Sequence, residues 1–482
     1  MIDITGEDVQ MECLADQLAS GVKSGIEGAI HAFADLFHEH AVDGWGLLLV
    51  DASNAFNAVS RSASLWNARV LWSRCARFLF NSYQGCALLF VAGSNLCLQS
   101  QEGVTQGDPL AMLVYGLAIL PLIRMLKKPE NWTQNWYADD SACCATFENL
   151  LKWFNLLIAT GPKFGYFAEP DKSFLVVHPS FVEQAKEFFK HTNLNIVSGQ
   201  RFLGGFIGSA EDTENWLEKK INLWTRAISK VADAAKNFPQ SAFTALTKSL
   251  QNEWLFLQRV LDGYDHLFSL LKESIRSEFL PSLFGLELTE LEKDFFCRPA
   301  SLAGLGINDP VKSNDIQGII SKEATLVLSQ AISSGNVLDL NRHLSCMNEA
   351  KKHKLDFDKE LKKETEEILT RFTSDKQRII QRKLDYKSSG WLTVIPKEDN
   401  FFEMNADEFR DALALRYGRT PHNMPGLCDA DGEFFDVNHA LNCPQGGLVY
   451  GRHNETRDLN CALLVKAGLK QVKCEPVNYY RD

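Results

Sequence analysis

Two adjacent carboxylates, Asp139 and Asp140, lie in Trp136-Tyr137-Ala138-Asp139-Asp140-Ser141, between short runs of strand character. Successive side chains of a strand point to opposite faces, so in mid-strand the pair could not serve one site, whereas at the tip of a hairpin it can. A fold that uses both acids must therefore contain an antiparallel pair turning near residue 139. Such a pair suits a divalent metal, because hard cations take carboxylate oxygens and magnesium is usually held by one or two carboxylates together with substrate phosphates. For an isolated Asp-Asp the alternative is a polar turn between two strands.

Asp139 has company. Asp51 precedes it by 88 residues and is delivered by the apolar run Leu47-Leu48-Leu49-Val50, which reads as a buried strand with Asp51 at its mouth and Ala52-Ser53-Asn54-Ala55-Phe56 following. Between the acidic sites stands Glu102-Gly103-Val104-Thr105-Gln106-Gly107-Asp108-Pro109-Leu110. Gly103 and Gly107 allow a tight loop, and Asp108 as N-cap with Pro109 as first helical residue predicts a helix from 109.

These three blocks, in this order, resemble the palm motifs of reverse transcriptases. Gly165-Tyr166-Phe167 through Lys172-Ser173 is similar to the lysine-bearing motif, and Phe202-Leu203-Gly204-Gly205 to the short hairpin before the thumb. Trp391-Leu392-Thr393, Glu408-Phe409-Arg410-Asp411-Ala412, His439-Ala440-Leu441-Asn442-Cys443 and Arg452-His453-Asn454-Glu455 resemble non-LTR retrotransposon proteins with a C-terminal zinc-knuckle-like segment and restriction-like endonuclease. The likeness spans nearly the whole chain.

The resemblance implies an α+β right-hand polymerase palm with a helical thumb and a small C-terminal cysteine/histidine module. Residues 1–45 would be a partial fingers remnant, 46–208 the palm, 209–345 the thumb with the helices after it, 346–390 a charged connector, and 391–482 the zinc-knuckle-like segment with the start of an endonuclease. The activity implied is RNA-directed DNA polymerisation on an RNA template and DNA primer with deoxynucleoside triphosphates. Asp51 and Asp139 would bridge two magnesium or manganese ions, Asp140 would be an auxiliary ligand or a supporting carboxylate behind them, and Lys172 would give a proton to pyrophosphate. Phe56, Gln106, Gly107 and Tyr137 would bind substrate, Phe56 by excluding a 2′-hydroxyl. Standing alone, Phe56 reads as a core aromatic and Lys172 as a surface lysine; the order and company of the motifs favour the functional roles. Phe56 argues against a right-hand RNA polymerase, and a catalytically silent nucleic-acid-binding remnant is the rival from another class.

Composition bounds these readings. With 482 residues, 45% of them hydrophobic, the chain suits two to four globular domains. Twelve Cys without any Cys-x-x-Cys pair read as reduced thiols and an intracellular home, and the N-terminus has no secretory signal. The longest apolar run, Leu110 to Ile123, is 14 residues with Pro121 inside, which favours a buried helix over a membrane span. Net charge is −11, yet residues 1–50 hold nine acids against Lys23 alone, leaving −3 for the remainder. Overall charge thus does not decide about a nucleic-acid partner.

Ile26, Ile30, Phe33 and Phe37 have helical spacing, and His31, His38 and His40 nearby read as surface rather than metal ligands. The order of elements from 51 to 208 implies an antiparallel sheet with helices. Ser209-Ala210-Glu211-Asp212 then caps an amphipathic helix carrying Leu217, Ile221, Trp224, Ile228, Val231 and Ala235 inward. Its Lys219, Lys220, Arg226 and Lys230 form either a solvated face or a nucleic-acid-facing one. Residues 241–276 continue helical with a break at Gly263, 297–310 is loop, and Lys351–Lys387, with twelve bases and eight acids, is an exposed helix.

Cys428, Asp431, His439 and Cys443 have the spacing Cys-x2-Asp-x7-His-x3-Cys. They could offer four ligands to zinc. The resembled family has a Cys near Asp431, so this set departs from that pattern, and the alternative is a knuckle held by packing. By the same resemblance the chain looks truncated at both ends. Glu475-Pro476 is similar to the nuclease lead-in with seven residues after Glu475, so nuclease activity is not expected. Lys23 is the single Lys or Arg before Asp51, which predicts weak polymerisation unless later bases reach the triphosphate.

Overall fold

The computed structural model describes residues 1–127, 132–385, 388–397, 399, 402–445, 448–470 and 472–473. The Glu475-Pro476 segment lies outside them. Nine strands occur among the described residues: β1 Trp45–Val50, β2 Ala87–Phe90, β3 Cys97–Ser100, β4 Thr133–Tyr137, β5 Asp140–Thr146, β6 Phe174–Val177, β7 Asn195–Val197, β8 Gly199–Phe202 and β9 Gly205–Gly208. Five of them form one sheet in the order β4-β5-β1-β6-β7, antiparallel except for β6 with β7. Leu47 and Leu48 in β1 are fully buried, as expected of a central strand covered on both faces.

Register then positions the acids. Val50 pairs with Ser141, and Tyr137 with Asp140 across the two-residue tip Ala138-Asp139. Asp51 therefore leaves β1 level with Asp140. The hairpin required by the Asp pair is present.

Helix Ala111–Lys127 packs beneath the sheet with Leu117, Ile119, Leu120, Leu122 and Ile123 buried. It begins at Ala111 rather than at Pro109. The Asp108 carboxylate accepts from Leu110 N at 2.8 Å, an Asx turn that leads into the helix. Among the described residues no helix is long and apolar enough to cross a membrane. Helix Gly25–Glu39 buries Ile30, Phe33 and Phe37, but His31 is buried too, its Nε2 3.0 Å from Ser321 Oγ. His38 and His40 bond elsewhere, to Ala34 O and Asp43, so the three imidazoles do not converge.

The chain divides into two compact units: residues 1–229, 246–277 and 307–366 in the first, and 230–245, 278–306 and 367–482 in the second. In helix Ala210–Ala235, Leu217, Ile221, Trp224, Ile228 and Ala235 are buried, with Ala232 rather than Val231 completing the inner stripe. Lys219, Arg226 and Lys230 are exposed. The Gly263 break falls after helix Gln251–Val260, and the charged helix runs Leu340–Thr370, continued by Ser374–Asp385. In the second unit Phe284 stacks on Phe296, and Phe295 and Tyr417 meet Phe296 edge-on and tilted to complete an aromatic core. Arg410 ties that unit together by donating to the carbonyls of Ala235, Lys236 and Ser282.

Candidate active site

Asp51 sits where the buried strand β1 ends, and the residues after it are held by a second segment. Glu169 N donates to Asp51 O at 2.9 Å, Ser53 N to Phe167 O at 2.8 Å, and Ser173 Oγ accepts from Asp51 N at 3.2 Å. Two glycines make this close approach possible. A Cβ on Gly103 would lie 2.5 Å from Phe56 O, and one on Gly165 2.1 Å from Ala58 O; both have positive φ. The loop from Asn54 to Val59 is thus clamped from two sides.

At the hairpin tip Ala138 adopts φ +53° and Tyr166 Oη donates to Asp139 O at 3.0 Å. Partial burial holds the Asp139 carboxyl above the usual range, with the Asp51 charge adding to the effect. Desolvation, then the charges of Asp139 and Asp51, push Asp140 up to about 6. The three carboxylates act on one another by charge and offer only hard oxygens, the donor type of a magnesium site, but among the described residues their ligand atoms are not gathered into one cluster.

Phe56, half-buried, stacks on buried Tyr115 with ring centroids 4.5 Å apart. Val104 N donates to Phe56 O at 2.8 Å, so the loop bearing Gln106 and Gly107 is anchored to the backbone of Phe56 itself. Gln106 and Gly107 are exposed and Tyr137 is half-buried. Arg61, buried, secures the other end of that loop by donating to the carbonyls of Gly85, Ser100, Glu102 and Gly103.

A cleft of about 200 Å³ is lined by Asp51, Asp140, Lys172, Gln200, Arg201 and Phe202 among others. Asp139 is coupled to Asp51 by charge but does not line the cleft, whereas Asp140 does. Lys172 pairs with Glu169 at 2.5 Å, and that carboxylate raises the pKa of its ammonium. Arg201 on β8 went unnoticed in the sequence; its only signal was adjacency to Phe202-Leu203. Gln17 and Tyr115 were missed as well, because nothing near either of them in sequence points to the acids.

In the second unit, Cys428, Asp431, His439 and Cys443 do converge: one ligand atom from each lies within 4.8 Å of the others. The two thiols are 4.0 Å apart and the Cys443 thiol is 3.3 Å from Asp431. His439 Nε2 is 3.2 Å from an Asp431 oxygen, yet this buried nitrogen has no hydrogen-bond partner among the described residues. Two sulfurs, a nitrogen and an oxygen at such separations match the donor types of a tetrahedral zinc site.

No protein-family profile matches the chain. Over 315 residues it is 24% identical to the retrotransposable element SLACS 132 kDa protein of Trypanosoma brucei gambiense, covering 61% of this chain and 25% of that protein. The chain thus spans about a quarter of the length of this relative. Among solved structures it is similar to telomerase from Candida albicans in complex with a TWJ fragment of telomeric RNA, at TM-score 0.36 and 9% identity, over 82% of this chain and 58% of that one. Apo telomerase from Candida tropicalis gives TM-score 0.33 and 11% identity, over 79% and 60%.

Proposed function

We propose that this chain is an RNA-directed DNA polymerase, extending a DNA primer on an RNA template from deoxynucleoside triphosphates. One observation carries the reading: the register of the antiparallel sheet sets Asp51 level with Asp140 at the tip that carries Asp139, and the charges of these carboxylates act on one another. The 24% identity to a retrotransposable element protein supports it. In this palm-like centre Asp51, Asp139 and Asp140 would hold magnesium or manganese. When bound, the metal lowers the pKa of the primer 3′-hydroxyl and neutralises charge on the triphosphate.

The remaining work falls to the chain. Phe56, fixed by Tyr115, presents its ring to the sugar and leaves no room for a 2′-hydroxyl. Gln106 and Gly107 floor the nascent base pair, with Tyr137 beside it. Lys172, kept charged by Glu169, swings from that partner to the pyrophosphate oxygen that needs a proton. Lys172 and Arg201, bases from after Asp51, line the cleft and are the residues that would meet the triphosphate in place of cations before Asp51. Magnesium-dependent extension of a DNA primer on an RNA template tests the reading; a chain that binds the duplex yet never extends it overturns the assignment.

Phe56→Val is expected to raise ribonucleotide incorporation at least tenfold relative to deoxynucleotide, about 1.4 kcal/mol of discrimination. Competing the two triphosphates in single-nucleotide extension measures this. An unchanged ratio would leave Phe56 as packing for Tyr115 alone.

The Cys428, Asp431, His439 and Cys443 cluster is the zinc site of this reading. Carboxylate is a harder ligand than thiolate, so Asp431→Cys should tighten zinc by about tenfold or more, and His439→Ala should release it. Chelator competition on the full chain reads both. If the Cys variant binds zinc no more tightly, Asp431 is not a ligand.

A further inference from the structure

The tip that carries Asp139 is not held by its own hairpin alone. The segment Ala15–Ser20 runs alongside β4, and the backbone of Gln17 forms a parallel bridge with Trp136. The Gln17 side chain is fully buried. Its Oε1 accepts from Ala138 N at 2.7 Å and its Nε2 donates to Ala138 O at 2.9 Å. One carboxamide thereby satisfies both backbone groups of the residue with φ +53°, the conformation that a side-chain-bearing residue adopts least readily. Ala19 N also donates to Oε1, at 3.2 Å, which fixes which end of the amide faces which way.

Neighbouring contacts hold the brace in place. Asn135 Nδ2 donates to Ala15 O at 2.6 Å. Gly116 leaves room for the segment, since a Cβ there would lie 2.7 Å from Ser20 Oγ and 3.2 Å from Gln17 Cγ. On the opposite side Tyr166 holds Asp139 O. Gln17 and Tyr166 therefore grip consecutive residues of the turn.

We infer that Gln17 is the positioning residue of the acidic turn: its carboxamide holds Ala138 in the left-handed conformation that turns Asp139 and Asp140 toward Asp51. The inference rests on the polymerase reading for its catalytic meaning, but the geometry it assigns is that of a cation site and has a readout of its own. Without the amide, two buried backbone groups lose their partners and Ala138 relaxes toward negative φ, which swings Asp139 away.

The experiment compares the 482-residue chain with its Gln17→Met and Gln17→Ala variants. Methionine keeps the length and apolar stem of the side chain while removing both hydrogen bonds, so a packing role alone would survive it. Manganese affinity, by electron paramagnetic resonance on the folded protein, is expected to fall at least fivefold in Gln17→Met. In primer extension kcat should fall by about 30-fold or more with KM for nucleotide within about threefold, the pattern of a group that acts on the transition state through its ligands. A Met variant within twofold of the parent in manganese affinity overturns the inference. If neither variant folds, hydrogen exchange of the parent decides: the Ala138 amide should be as protected as the paired amides of β4, and exchange at an open-turn rate overturns the proposal. A parent chain that binds manganese tightly and extends no primer overturns the polymerase reading while leaving the Gln17 result to stand or fall on the manganese titration.

Discussion

Asp51→Ala and Asp139→Ala are each expected to lower primer extension by at least a thousandfold, about 4 kcal/mol of lost transition-state stabilisation, in a protein that remains folded. Asp51 is half-buried at the end of a strand whose own packing does not involve its carboxylate, and Asp139 occupies a two-residue turn. Removing either acid also relieves repulsion with the other two, so stability should change little or rise slightly. The measurement pairs single-turnover extension with the midpoint of thermal unfolding. Extension at parental rates in either variant would sink the site. The contrast with Asp140→Ala is informative: Asp140 lines the cleft and Asp139 does not, so a larger loss at Asp140 would exchange the roles assigned to the two neighbours.

Gly165→Ala should be the most damaging single methyl in the first unit. The residue has φ +77°, which costs an alanine about 1–2 kcal/mol. The new carbon would also lie 2.1 Å from Ala58 O and 2.6 Å from Val59 Cα, both backbone, where no rotamer change gives relief. Overpacking of that kind adds about 1–3 kcal/mol, so a total destabilisation of roughly 3 kcal/mol is expected, with loss of extension because the clamped loop carries Phe56. Gly85→Ala is the comparator: nothing lies within 4 Å of the place its methyl would take, and its φ is outside the left-handed region, so its effect should stay within about 0.5 kcal/mol. Urea unfolding of the two variants gives the difference directly; equal midpoints would mean that the 54–59 loop is free to shift.

What the sequence could reveal was local. The Leu47–Val50 run declared a central strand because burial on both faces removes polar alternation, and the adjacent acids declared a hairpin because no other element brings them together. The four zinc-type ligands were legible for the same reason, lying within sixteen residues of one another, Cys428 to Cys443. The β2–β3 hairpin was not foreseen: Leu88, Leu89, Phe90, Leu96 and Leu98 are exposed, so their pattern carries no inside and outside to read. Gln17 was invisible for a different reason. Its partner is 121 residues away, and a glutamine in a loop has no preference that announces such a contact. The parallel pairing of β7 with β6 and the half-burial of Val231 likewise depend on neighbours that only the fold supplies.

The sheet order has a consequence for how this chain is made. β1 lies between β5 and β6, and the earlier of these begins at Asp140. At a synthesis rate of roughly 5–20 residues per second, Leu47–Val50 leaves the ribosome on the order of ten seconds before any strand of its sheet exists to pair with it. Both edges of that run are unpaired throughout the interval, which is the condition for strand-to-strand aggregation. The segment that aims the first carboxylate is thus also the one left longest without its partners while the nascent chain waits for its hairpin.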